Sequence, residues 1–403
     1  MAPKQPLAPK KSGSSLQQNV PSHNQEQRIN WIDEYKGFVL LLVCLYHVEQ
    51  SFTNVSMGME ILSACRMSAF FFISGVLFST RRFDTFKSYF IHKSKVLLLP
   101  YITLSLLFLL LDPVVWNFDL FPRTLKMTIM NTRPEIVSLW DYIYWNMAKI
   151  FVAGKSSIGS GPLWFVFTLY SISLMFYGIQ NIQKLFKPLA SPLFFKLFIL
   201  FCAAASLTAG WILYKNHIRL PLGIERDFTT LSFFALGWVC RNPIKSMEKL
   251  PTWILVAVAT ISFATYTFTN NVGPWFSIMN NELGKSFWGF LASSLLGITG
   301  LVATFIFISR IPCKKSLAAP LRIFKGILQN ISRNALIVLA VHWYILLVLR
   351  IVFKIQMDKP GIAYLSILIV TAATITAIPL FRCKLYKLIG KEKITIRESL
   401  NIL

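Results

Sequence analysis

The sequence predicts an all-α fold, a polytopic integral membrane protein with about ten transmembrane helices. Three observations lead there. Hydrophobic residues fill 55% of the 403 positions and charged residues only 14%, whereas about a quarter of a soluble domain is charged. The apolar residues fall into separate runs, most close to the about 20 residues a helix needs to cross about 30 Å of hydrocarbon. Lys and Arg gather in short clusters between those runs, as the positive-inside rule and anionic headgroups require. One aqueous core could not hide this much apolar surface, because soluble domains split beyond about 250 residues. Mean hydropathy is +0.56.

The predicted spans are 36–52, 60–79, 96–116, 161–182, 195–214, 228–240, 252–269, 286–309, 335–353 and 362–381. The sixth is short, as a tilted helix or one extended at its start would be. With the N-terminus inside, the cytosolic segments collect most of the 41 basic residues. Arg81, Arg82, Lys87, Lys93 and Lys95 fall in one such loop, and Arg310, Lys314, Lys315, Arg322, Lys325 and Arg333 in another. An even number of spans puts both termini in the cytosol of a cell (plasma or inner) membrane. The net charge of +24 therefore reads as a partner for lipid headgroups. Its placement argues against nucleic acid.

Three regions are expected. Residues 1–28 form a disordered basic cytosolic tail with no apolar stretch of a cleavable signal. Residues 29–390 form the membrane domain, and 391–403 a cytosolic C-terminal tail. Cys44, Cys65, Cys202 and Cys240 fall in spans and Cys313 and Cys383 in cytosolic segments, so no structural disulfide is expected. No Cys/His spacing resembles a zinc site, and no metal is expected. In the long outer segment, Trp140, Tyr142, Tyr144 and Trp145 suit an interfacial helix. They read either as a headgroup belt or as a platform for a sugar.

Ionisable groups inside a span are costly and are functional candidates by default. Asp33, Lys36 and His47 can share one face of the first span. The eleven residues from Lys36 to His47 make three turns plus about 20°, and about 16 Å of rise. A basic mouth is thus joined to an imidazole deep on the same stripe. His47 reads as a general base, its pKa lying near working pH, or as a packing histidine bonded across helices. Arg66 needs a partner, because a guanidinium cannot neutralise itself; Asp33 and Glu60 are the candidates. His342, in the ninth span, is a further candidate. An oxyanion stabiliser is also needed, for which Arg66, Trp164 and Asn334 are available.

The run Trp31-Ile32-Asp33-Glu34-Tyr35-Lys36-Gly37, followed by apolar residues and His47, resembles the opening of the acyltransferase-3 family of membrane O-acyltransferases, with its basic-x10-His spacing. Met67-Ser68-Ala69-Phe70-Phe71-Phe72-Ile73-Ser74-Gly75 resembles the family's second-span signature, and Leu97-Leu98-Leu99-Pro100-Tyr101 the start of its third span. Gly161-Pro162-Leu163-Trp164-Phe165, Phe234-Ala235-Leu236-Gly237 and Ile331-Ser332-Arg333-Asn334 leading to His342 are similar to its later elements, in family order. Two departures stand out. His92-Lys93-Ser94-Lys95 replaces an Arg-x-x-Arg, and Arg66 and Ser68 stand where relatives often have His and Pro.

The resemblance implies transfer of an acyl group, usually acetyl from acetyl-CoA or another acyl-CoA, to a hydroxyl of a carbohydrate or cell-surface glycan. No bound cofactor is implied; acyl-CoA is a substrate. His47 and Asp33 would be catalytic. Lys36, Arg66, His92, Lys95, Trp164, Asn334 and His342 would bind substrate, the basic groups meeting CoA phosphates. The rival reading is a transporter or flippase of a glycan or small solute, since many spans with buried polar groups suit secondary transport.

Overall fold

In the computed structural model the described residues are 30–52, 55–118, 135–183, 185–186, 191–269, 276–312, 319–354 and 358–391. Both expected tails lie outside them, except Lys391. Helices are α1 Asn30–Ser51, α2 Ser63–Val76, α3 Phe86–Lys93, α4 Leu99–Asn117, α5 Leu139–Phe151, α6 Trp164–Ile182 and α7 Pro192–Lys215. They continue with α8 Ile224–Val239, α9 Arg241–Met247, α10 Thr252–Thr269, α11 Phe287–Ser309, α12 Ala319–Arg333, α13 Ala335–Val352 and α14 Pro360–Cys383. No strand is present among the described residues, only an isolated bridge between Ser277 and Glu282.

Each of the ten apolar runs is helical. Among the described residues, eight helical stretches are long and apolar enough to cross a membrane, and α1 and α8 are not among them. The reason is charge in α1, and short length together with charge in α8, which has 16 residues. α1 carries Asp33, Glu34, Lys36 and Glu49, and α8 opens on Glu225, Arg226 and Asp227. Both are interior helices. α1 packs on α2, α11, α12, α13 and α14, and α8 on α2, α6 and α7. The helices with most exposure, α7, α10 and α14, turn Phe201, Phe268 and Leu368 outward. That arrangement suits a lipid-facing ring around a polar interior.

Two local readings change. The stretch His92–Lys95, expected in a loop, is helical: α3 runs into a π-helical segment at Ser94–Leu98 and then into α4. Pro100 lacks an N–H, so the regular ladder is already broken there, and a π segment next to it takes up the misfit. The sixth span begins earlier than expected, at Ile224, and its first turn is charged and buried.

The outer aromatic segment does form a helix, α5, opened by a capping box in which Ser138 and Asp141 exchange hydrogen bonds. Trp140 and Tyr144 face outward, 78% and 65% exposed, while Tyr142 is buried. The four rings therefore do not make one stacking surface. All five cysteines among the described residues are free.

The α2 and α8 backbones approach closely. A Cβ at Gly75 would lie 1.9 Å from the Phe234 carbonyl oxygen, and one at Gly237 would lie 1.9 Å from that of Phe72. Small residues let helix backbones approach in a membrane, where no hydrophobic force drives the helices together. Gly75→Ala and Gly237→Ala should each cost about 1–3 kcal/mol. Both should lower the melting temperature of detergent-purified protein, and the double variant should cost less than their sum because the sites share one contact. Gly361→Ala, whose Cβ meets nothing within 4 Å, serves as the unchanged control.

Candidate active site

One face of α1 lines a cavity of about 400 Å³ through Val39, Leu40, Val43, Tyr46, His47 and Gln50. That is a helical stripe, and Lys36 lies on its continuation one turn below. Lys36 is half-buried and does not itself line the cavity. α2 adds Ser63, Arg66, Met67 and Phe70, α13 adds Leu339, and the start of α6 adds Trp164 and Phe165. The segment 276–282 contributes Ser277, Asn280 and Glu282. Polarity is divided along α1. The section toward Lys36 is apolar, while the section from His47 to the C-terminal end of α1 carries Tyr46, Gln50, Arg66, Asn280 and Glu282.

His47 is held by three contacts. Its Nδ1 lies 3.0 Å from Nε2 of His342, the two rings are stacked within 5°, and the Trp343 ring meets it edge to face at 4.9 Å. Nδ1 of His342 lies 2.7 Å from the Val338 carbonyl oxygen. A carbonyl only accepts, so that nitrogen carries the proton. Neutral His342 then presents a lone pair at Nε2, and His47 donates its Nδ1–H to it. The remaining nitrogen of His47, Nε2, keeps a lone pair on a ring that lines the cavity.

Trp343 is itself fixed, its Nε1–H donating to the Ile158 carbonyl at 2.8 Å. The Arg66 guanidinium lies 3.9 Å over the Tyr46 ring and donates to the Met59 carbonyl at 3.2 Å. Among the described residues no carboxylate bridges it. Asp33, one expected partner, is about 20 Å of helix rise from Tyr46.

Three of the nine residues singled out in the sequence, His47, Arg66 and Trp164, meet at the cavity. The others do not, for identifiable reasons. Asp33 is buried and accepts from Ser332 Oγ at 3.2 Å. It ties α1 to α12 about 21 Å of rise from His47, too far to touch that ring. His342 is fully buried behind His47 and does not line the cavity. Asn334, also buried, donates to Asn330 at the α12–α13 junction. His92 is exposed, its ring against Phe83, and Lys95 is exposed on the π-helical segment. Among the described residues, no group of three or more His, Cys, Asp or Glu could hold a metal ion.

Sequence reasoning missed the wall of the polar end. Residues 153–160 are buried without being helical. The fully buried Arg226 holds them, donating from Nε to Thr168 Oγ1 at 2.7 Å and from a terminal nitrogen to the Gly154 carbonyl at 2.5 Å. The same guanidinium lies 5.6 Å over the Trp164 ring. Lys155 Nζ donates to Asn280 Oδ1 at 2.9 Å, and Arg219 sits 3.8 Å from Glu282. The available signal was the Glu225-Arg226-Asp227 triplet abutting a short apolar run.

Burial, with repulsion from Arg226 and Lys149 added, pushes the Lys155 ammonium down to about 7. Unfolded, it would titrate near about 10.4. Between those values the unfolded chain binds more protons, so this group makes stability rise with pH above about 7 and adds no slope below it. The melting temperature of wild type relative to Lys155→Met should therefore climb between about pH 7 and about pH 9, by up to about 1.4 kcal/mol per unit in free energy. A flat difference across that range would show that Lys155 is not held this way.

The family model described as an acyltransferase domain matches residues 29–381. No curated protein and no solved structure matches the chain. The matched region runs from the start of α1 into the last turn of α14 and takes in the cavity and both of its histidines. The chain belongs to the acyltransferase-3 family and is a membrane acyltransferase.

Proposed function

We propose that the protein is an O-acyltransferase that moves an acyl group, acetyl in the first instance, from acyl-CoA to a hydroxyl of a carbohydrate or cell-surface glycan. The observation that carries this reading is the imidazole of His47, lining a cavity with its tautomer set from behind by His342. A nitrogen with a free lone pair at the boundary of apolar and polar sections is what removal of a hydroxyl proton requires.

In the proposed reaction, Nε2 of His47 takes the proton of the acceptor hydroxyl as its oxygen attacks the thioester carbonyl. The new C–O bond forms, the C–S bond breaks, and the CoA sulfur leaves with the proton returned from Nε2. The Nδ1–H of His47 stays hydrogen-bonded to Nε2 of His342 throughout, so the ring does not turn between the two proton transfers. Arg66, fixed over Tyr46, supplies positive charge for the oxyanion. Holding donor and acceptor together makes the transfer effectively unimolecular. Transfer through an acyl-His47 intermediate would use the same nitrogen as nucleophile and give ping-pong kinetics.

Donor and acceptor approach from opposite ends in this reading. The α1 stripe descends from the cavity to Lys36 at the N-terminal end, where CoA phosphates would meet basic side chains. The polar end, with Gln50, Asn280 and Glu282, offers donors and acceptors suited to a polyhydroxylated substrate. Both termini would then be cytosolic, in a cell membrane.

Purified protein given acetyl-CoA and surface-glycan acceptor should release CoA thiol. His47→Ala should lose this activity by about 10³-fold or more, since a general base contributes about 10²–10⁴. His342→Ala should lower kcat by about 10²-fold while leaving KM for acyl-CoA nearly unchanged, because it acts on the base and not on binding. Full thiol release by His47→Ala would remove that residue from the mechanism. Solute flux across proteoliposomes without thioester consumption would establish the transporter reading instead.

A further inference from the structure

A second recess lies at the opposite end of α1 from Gln50. It is a groove of about 440 Å³ between the start of α1, the end of α11 and one face of α12, lined by Asn30, Glu34, Ser309, Arg322, Lys325 and Gln329 among others. Glu34 is 3% exposed. Its Oε1 accepts from Gln329 Nε2 at 2.9 Å, but its buried Oε2 has no hydrogen-bond partner among the described residues. A buried carboxylate oxygen left this way is costly unless something cationic meets it. Glu34 is about 200° around α1 from Lys36, so the groove does not belong to the catalytic stripe.

The groove face of α12 is built from Arg322, Lys325, Gly326 and Gln329, the i, i+3, i+4, i+7 positions of one stripe. Lys325 uses one proton on the Ile308 carbonyl at 2.7 Å, which leaves two for a ligand. A Cβ on Gly326 would meet nothing within 4 Å. About 100° around the helix, Ile323 and Ile327 are 60% and 43% exposed, while Leu328 on the other flank is buried against α1 at Gly37. The groove therefore has a carboxylate floor, a basic rim and an apolar shoulder open to the surroundings. Such an amphipathic helix lies in the membrane interface.

From this juxtaposition we infer that the α1–α12 groove binds the headgroup of a phosphoethanolamine lipid. Its primary ammonium meets Glu34 Oε2, its phosphate meets Arg322 and Lys325, and its acyl chains lie along Ile323 and Ile327. Both charges are needed. A phosphoglycerol headgroup offers Glu34 only a neutral hydroxyl donor and no positive charge. A phosphocholine headgroup carries the cation but has no N–H to donate to Oε2.

Native mass spectrometry of delipidated full-length protein tests the assignment, using phosphatidylethanolamine, phosphatidylcholine and phosphatidylglycerol of identical chains. Phosphatidylethanolamine should be retained at least about tenfold better than either, the value of one charged hydrogen bond. Gly326→Trp should abolish that retention by filling the groove. Glu34→Gln should erase the preference while Gly326→Trp decides the matter alone if Glu34→Gln does not fold. Folding is read as the melting temperature, which is independent of acyl transfer. Equal retention of the three lipids, preference for phosphatidylglycerol, or unchanged retention in Gly326→Trp would each overturn the inference. Displacement of bound lipid by soluble glycerophosphoethanolamine would overturn the lipid source in favour of a soluble ligand.

Discussion

The bundle is organised by one constraint: every polar group on α1 must find its partner inside the protein, because hydrocarbon supplies none. The partners come from three places. Asp33 takes Ser332 and Glu34 takes Gln329, both on α12. His47 takes His342 on α13. Glu49 accepts from the backbone N–H groups of Met57 and Met59 at 3.0 and 2.9 Å, which fixes the link into α2. The helix with the most polar groups is therefore the one with neighbours on all sides. Gly37 lets α12 close on it, since a Cβ there would lie 1.9 Å from the Leu328 carbonyl oxygen.

The same constraint explains how a buried stretch escapes being helical. Residues 153–160 have their backbone groups met one by one. Tyr101 donates to the carbonyls of Ile150 and Lys155 at 2.8 and 2.9 Å. Asn146 accepts from the Ile158 N–H at 3.0 Å, and Trp343 donates to its carbonyl. Arg226 and Ser156 take the carbonyls of Gly154 and Gly161. Irregular backbone in a membrane protein is tolerated where protein surrounds it or a cavity adjoins it. Here it leads into Pro162 and Trp164 on the cavity wall, so the side chains that satisfy this segment also hold that wall in place.

This division accounts for what was legible in the sequence. Apolar runs and the 3.6-residue period are local, and they located each of the eight candidate spans among the described residues and the His47 stripe. The Arg66 partner was misjudged because the choice was made among nearby charges in sequence. The structure satisfies it with a ring face, Tyr46, that no charge pattern marks. Asp33 entered with the family motif; helix rise puts it about 21 Å from His47, and its hydrogen bond to Ser332 on α12 is a tertiary contact that no local pattern marks. Asn280, Glu282 and Trp343 reach the site from segments far along the chain, through tertiary contacts that carry no local period. The Glu225-Arg226-Asp227 triplet was visible but fell outside the window used to define a span.

The pairing of His47 with a second imidazole, in place of a carboxylate, follows from the same physics. A base in a cavity must be held in one tautomer, and a carboxylate does this by accepting Nδ1–H. In a membrane interior that carboxylate would bring a buried charge, which is tolerable only if further donors surround it. Neutral His342 accepts the same proton from Nε2 and spends its own on the Val338 carbonyl, a helix group that is already present. The pair thus orients the base at no cost in charge. In the proposed reaction it would also provide less compensation for an imidazolium than a carboxylate, so positive charge on His47 would be brief and its proton readily passed on. That suits a transfer in which the proton taken from the hydroxyl must be given up to the departing sulfur.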